Sequence, residues 1–223
     1  FFFSFNSISS IHISSIHNKY DTLIFSIYSR FILKQMSKKR TNVDLNKKAD
    51  NGERKRAKTH IRGKKKISVI FDGRAIQNAI VRNIKRKDTE YIVGCAAWLS
   101  NKRILKTMAE NVKGVTLIVT KDKLCNRKTN QAAYAKLSGC YAGGVIRTVG
   151  SGGRFKSLLH HKFLVGLNEN REPIWVSNGS FNLTENAVTN IENVMIFDDP
   201  EIANDFFEEF KRIFAISMPL KIK

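Results

Sequence analysis

Cysteine and proline are both scarce in this chain, at three each in 223 residues. Cys95, Cys125 and Cys140 are too few and too scattered for a disulfide framework or a zinc knuckle. An odd count without close spacing suits a reducing compartment. Three Pro and 13 Gly exclude fibrous and proline-rich classes. Acid is short as well: 19 Asp and Glu face 39 Lys and Arg, a net charge of +20 with a pI near 10.1. Such an excess points to phosphate-bearing polymers or anionic membrane surfaces as partners. A clean membrane span is also missing, because the apolar stretch Thr22–Leu33 is interrupted by Arg30 and is shorter than the roughly 20 residues that cross a bilayer. What remains is an ordinary globular composition, 42% hydrophobic and 26% charged, with room for one domain plus appendages.

Three regions follow from the composition. Residues 1–35, rich in Phe, Ile, Ser and Asn, lack the basic start of a signal peptide. They are expected to be a disordered extension, or one translated upstream of a start at Met36, with a mitochondrial targeting peptide as the alternative. Residues 36–66 carry 13 basic residues against three acidic ones, a net of +10. That run cannot bury a core and is expected to be a disordered basic arm, either a solvated tail or a segment for nuclear import or nucleic-acid binding. Residues 67–216 read as the folded domain. The expected location is intracellular, nuclear or cytoplasmic, with the mitochondrion as the alternative.

Within the domain, Ile67–Phe71, Tyr91–Trp98, Val115–Thr120 and Val145–Val149 read as strands. Helical spacing falls between them at Ala75–Ile84, Asn101–Asn111 and Thr129–Ser138. This alternation predicts an α/β fold whose first half is largely parallel. After a Gly150-Ser151-Gly152-Gly153 loop, Leu158–Leu167 and Pro173–Ser177 read as a hairpin turning at Asn168–Arg171, followed by a strand at Ile191–Phe197. Asp199-Pro200-Glu201 then opens a helix with an apolar stripe of Ile202, Phe206, Phe210 and Ile213.

The chemistry-bearing residues are His160-His161-Lys162, Gly179-Ser180-Phe181-Asn182 and Asn190-Ile191-Glu192-Asn193. On an extended strand His160 and Lys162 share a face, while His161 and Phe163 share the other. Gly179 permits a tight turn, and Ser180 and Asn182 read as hydrogen-bonding residues at a helix start, where backbone N–H groups favour an anion. An imidazole, an ammonium, a hydroxyl and an amide around one anion site are what attack on a phosphodiester needs. No carboxylate cluster or His/Cys set suggests a metal, and no cofactor is expected.

Taken in order, these pieces resemble the phospholipase D superfamily, whose signature is His-x-Lys followed by Gly-Ser-x-Asn. Asn190–Asn193 is similar to the glutamate segment of its single-motif endonucleases. Phe71–Arg74 and Ile92–Leu99 are similar to the first half of the family domain. The resemblance spans about Lys66–Phe214 and implies an α/β/α sandwich with a mixed central sheet. It departs at Leu167, where the family usually carries Asp five residues after the motif Lys, and in a longer interval before Gly-Ser. A second full motif is absent, since His60-x-Arg62 and His12-x-Ser14 do not qualify.

The resemblance implies a phosphodiesterase in which two such motifs meet at one site, so a one-motif chain should pair with itself. His160 would be nucleophile on one subunit and general acid on the other. Glu192 would orient the imidazole, and Lys162, Ser180 and Asn182 would hold the phosphate oxygens. His161 reads as a packing residue. The charge favours nucleic acid as substrate. A lipid phosphodiester, such as cardiolipin, is the alternative, and a catalytically inert nucleic-acid-binding module is the second.

Overall fold

The computed structural model describes residues 57–62, 65–123, 125–141, 145–150 and 158–222. The expected extension over 1–35, the arm up to residue 56 and most of the glycine loop lie outside them. Nine strands form one sheet: β1 (Ala57–Arg62), β2 (Lys65–Asp72), β3 (Tyr91–Ala96), β4 (Gly114–Thr120), β5 (Ile146–Val149), β6 (Lys162–Leu167), β7 (Pro173–Gly179), β8 (Ile191–Asp198) and β9 (Met218–Pro219). Their spatial order is β1-β2-β8-β7-β6-β3-β4-β5-β9. Among the described residues four α-helices accompany them: α1 (Gly73–Ile84), α2 (Lys102–Asn111), α3 (Lys128–Tyr134) and α4 (Pro200–Ile216).

Period-2 alternation along buried strands sends side chains to two cores. One core joins Ile92, Leu117 and Leu164 to Ile76, Ile80 and Ile84 of α1, Ile104 and Met108 of α2 and Tyr134 of α3. The other joins Val93, Ile118, Phe163 and Val165 to Ala203, Phe210 and Ile213 of α4. Helices therefore cover both faces, giving the α/β/α sandwich. Each long helix begins where a short polar side chain accepts an otherwise unpaired backbone N–H. Asp72 accepts from Ala75 N at 2.9 Å, Asn101 from Ile104 N at 3.0 Å and Asp199 from Glu201 N at 3.1 Å.

Three expectations need correcting. The sheet is mixed, as the resemblance implies, but its first half is less parallel than the alternation of elements predicts: among the named strands, parallel pairing is confined to β3–β4 and β4–β5. β2 does not join that block. It pairs antiparallel with β8, more than 100 residues downstream, because its neighbour is fixed by the closing of the sheet and not by the next strand in sequence. The arm ends earlier than residue 66: Ala57–Arg62 is an edge strand antiparallel to β2. A basic run is unable to bury a core, yet an edge strand needs only backbone bonds on one side, and Lys and Arg at such an edge discourage further pairing. Finally, β6 begins at Lys162, leaving Leu158–His161 outside the strand.

Candidate active site

The site is assembled where four strand ends meet. Antiparallel register pairs Phe163 with Asn178, bringing Lys162 to the level of Gly179. Gly179 pairs with Val194, so Ser180 emerges beside Glu192 and Asn193. On the other side, Ala96 at the end of β3 pairs with Lys162. Alternation then sets the face. Leu164 and Val194 pack in the α1–α3 core, so Lys162 and Glu192, two residues away on each strand, share that side.

His160 is exposed, and its neighbours fasten the backbone on both sides. The Leu159 carbonyl accepts from Thr120 Oγ1 at 3.3 Å, and the His161 carbonyl accepts from Ala97 N at 3.0 Å. Lys162 Nζ donates to the His160 carbonyl at 2.7 Å. The His160 ring meets the Trp98 indole edge-on, with centroids 6.2 Å apart and planes at 88°. His161 turns the other way, as strand alternation predicts. Its ring packs on Phe163 at 5.7 Å, and Nε2 faces Glu209 Oε1 of α4 at 3.3 Å.

Ser180 and Glu192 are joined directly. The Ser180 hydroxyl donates to Glu192 Oε2 and accepts from Asn193 N at 3.0 Å. Asn190 Nδ2 approaches Glu192 Oε1 at 3.5 Å. The carboxylate expected to orient His160 is thus spent on Ser180, and among the described residues no hydrogen bond joins it to the imidazole within the chain. Burial pushes the Lys162 ammonium below the ordinary lysine range, and the nearby Glu192 charge opposes that shift. Asn182 Oδ1 is buried with no hydrogen-bond partner among the described residues.

The expected helix start at Ser180 is not there. After Gly179 the chain runs irregularly to Leu183, which bridges to Leu99, and only a four-residue 3-10 turn follows at Asn186–Thr189. Ser180 N donates to the Asn193 carbonyl at 2.9 Å, so it is not free to hold an anion. A small polar residue after a glycine reads equally as a helix cap or a strand exit, and cross-strand pairing with β8 decides for the latter. Gly179 itself is required for contact, not for a turn. A Cβ there would lie 2.0 Å from the Asn193 carbonyl oxygen.

Comparison with known proteins agrees with this architecture. The model of a family described as cardiolipin synthase, PLD-like domain, matches residues 80–214. The chain belongs to the phospholipase D-like family. A solved structure of Nuc from Salmonella typhimurium, itself described as a phospholipase D family member, superposes with a TM-score of 0.53 at 17% identity, covering 71% of this chain and 99% of that one. NucT from Helicobacter pylori gives 0.52 at 14% identity, covering 70% and 100%. A viral relative, uncharacterized protein L381 of Acanthamoeba polyphaga mimivirus, is 26% identical over 57% of this chain and 59% of its own. The chain thus spans under two thirds of that relative's length. Against the phospholipase D-like pattern, Leu167 at the usual acid position is fully buried against the α4 core. A carboxylate there would have to be desolvated without a partner.

Two contacts of the site have no counterpart in the motif spacing. Trp98 was legible only as part of an apolar strand, and Glu209 lies outside the apolar stripe read for α4. Each is brought to the histidines by packing across the sheet.

Proposed function

We propose that this protein is a phosphodiesterase that uses His160 as nucleophile and needs no metal, with nucleic acid as its substrate. The observation that carries the reading is the convergence of these groups at one end of the central strands: the His160 carbonyl accepts from Lys162 Nζ, the Lys162 ammonium feels the nearby Glu192 charge, and Glu192 accepts from Ser180. An imidazole nitrogen attacks phosphorus and the bond to the leaving oxygen breaks, giving a phosphohistidine. A second imidazole, in its protonated form, gives its proton to that oxygen. It then takes a proton from water, whose oxygen attacks the phosphohistidine and frees His160. Lys162 offsets charge on the non-bridging oxygens, and a water-poor setting strengthens that interaction. The resemblance assigns Asn182 to the same oxygens, a role for its amide N–H donors and not for Oδ1, which as an acceptor cannot hold an anion.

One chain offers one such histidine, so the second imidazole is that of a second copy in a homodimer. The net charge of +20 favours a polyanion over an uncharged or purely apolar ligand. A lipid phosphodiester is the second reading, favoured by the family description and by exposed Leu158, Ile216 and Met218. The test is incubation of the purified chain with labelled single- and double-stranded DNA, RNA and cardiolipin, each with excess EDTA. Cleavage of a nucleic acid under EDTA is the expected result. Cleavage of cardiolipin alone would move the substrate to lipid, and activity restored only by Mg²⁺ would overturn the mechanism.

A further inference from the structure

A nucleophilic imidazole has to be held in one orientation, and a hydrogen bond to its second nitrogen is the usual device. Here that device is missing within the chain, because Glu192 is engaged by Ser180. The ring of His160 is contacted instead by Trp98. We infer that Trp98, anchored by Asp122, is the positioning residue that fixes the His160 imidazole for attack.

Three observations support the assignment. First, the indole is pinned at its far end: Nε1 donates to Asp122 Oδ2 at 2.6 Å. Asp122 is itself embedded in the loop after β4, where its backbone carbonyl accepts from Cys125 Sγ at 3.0 Å and Asn126 Nδ2 at 3.3 Å. Second, the backbone around Trp98 is tied on both sides. Ala97 N donates to the His161 carbonyl at 3.0 Å, and the Leu99 carbonyl accepts from the buried Tyr134 hydroxyl at 2.7 Å. The same Ala97–His161 bond fixes the segment that carries His160, so indole and imidazole are referenced to one frame. Third, the 88° edge-on geometry at 6.2 Å lies within the range aromatic pairs prefer, and it restricts rotation of the imidazole without occupying either nitrogen. Both nitrogens then stay available, one for phosphorus and one for a proton partner.

This inference rests on the nucleophile assigned to His160, so the experiment has one readout that does not depend on catalysis. In the full-length protein, the imidazole Cε1–H and Cδ2–H resonances of His160, identified by their loss in His160→Asn, are recorded for wild type, Trp98→Phe, Trp98→Ala and Asp122→Ala, the last of which keeps the indole and its ring current. They should move in Trp98→Ala and return part of the way in Trp98→Phe, which keeps an aromatic ring without the anchoring N–H. In parallel, Trp98→Ala should lower kcat about 10- to 100-fold with KM within about two-fold, the scale of a misplaced reacting group. Trp98→Phe should recover part of the loss. Asp122→Ala should cost less than Trp98→Ala and add nothing to it in the double variant, because both act through the same ring.

His160 resonances that move only with loss of the indole, and stay unmoved in a folded Asp122→Ala variant, overturn the inference. So does a raised KM at unchanged kcat, which would make Trp98 a substrate platform instead. If the wild type hydrolyses no phosphodiester, the proposed function falls. The resonances then still decide whether Trp98 holds His160, and their movement in Asp122→Ala, where no ring current is lost, upholds the coupling on its own.

Discussion

The two halves of the sheet are built by different rules. In β3–β4–β5 a helix joins each strand to the next, which returns parallel to it, so local sequence determines what packs against what. Its strands are buried apart from Tyr91 and Val149 at their ends, and every residue of Gly114–Thr120 is buried. In β6–β7–β8 the pairings are antiparallel, the strands end in polar residues, and β8 closes onto β2 from the far end of the domain. The phosphate-handling candidates Lys162, Ser180, Asn182 and Glu192 all come from this second half. The parallel half supplies the frame that holds them, through Thr120, Ala97 and the Trp98–Asp122 pair. Chemistry sits where strands fray into polar turns, and rigidity is borrowed from the half whose strands are buried.

The division of labour can be broken most severely at His160. His160→Ala should lower phosphodiesterase turnover by at least about 10³-fold, since no other group takes over the covalent step. Circular dichroism should stay unchanged, because the side chain is exposed and outside the core. His161→Ala, which touches α4 and not the site, should be much milder.

A methyl group placed between strands tests the frame itself. Gly179→Ala forces a Cβ to within 2.0 Å of the Asn193 carbonyl oxygen, and Gly94→Ala puts one 2.3 Å from that of Phe163. Each should cost about 1–3 kcal/mol in denaturant unfolding. Both strands have to shift, but only Gly179→Ala should separate Ser180 from Glu192 and depress activity beyond what the lost stability explains.

The Ser180–Glu192 contact sharpens the comparison further. Ser180→Ala and Glu192→Gln should each reduce kcat about 10-fold, and the double variant should lose little more than the worse single one, because they act as one unit. Glu192→Gln also carries a pH signature. Its charge raises the Lys162 pKa against the lowering by burial, so its removal lets that pKa fall further. Lys162 must be protonated to act, so the alkaline limb of the kcat/KM profile should move to lower pH.

The smallest effect belongs to the rim, where Arg86 bridges Asp88 at 2.8 Å and Asp198 at 2.6 Å. Its bond to Arg86 holds Asp88 below the usual carboxylate range. Asp88 therefore stabilises the fold above its unfolded pKa, and that contribution fades as pH falls through the folded value, below about pH 4. Both partners are solvent-exposed enough that Arg86→Met should cost well under about 1 kcal/mol at neutral pH. The variant should also flatten the acid limb of the stability curve.

How much of this was readable in advance follows the same division. The three βα units of β2, β3 and β4 were legible because amphipathic spacing such as Ile76, Ile80 and Ile84 and the largely β-branched run Val115–Thr120 are local signals. The Asp199-Pro200-Glu201 start of α4 was equally local, and the side-chain cap is where it was expected. Pairing of β2 with β8 was not legible, since no local pattern encodes a partner so far away in sequence. The motif residues were legible as a spaced set, and the contact of Lys162 with His160 follows from their spacing. The role of Gly179 was misread because a glycine before Ser-x-Asn signals a turn as readily as a close approach between strands. Trp98 was invisible as a neighbour of His160, because that contact depends on β3 and β6 lying side by side.

The central claim is that His160 carries the phosphoryl group. Its most direct test is to quench the enzyme during turnover of a ³²P-labelled nucleic acid in EDTA, under alkaline conditions that preserve phosphoramidates, and to map the label by peptide digestion. The account predicts label on the peptide containing His160, absent from His160→Ala. Turnover with no protein-bound phosphate, or label retained in His160→Ala, would contradict it.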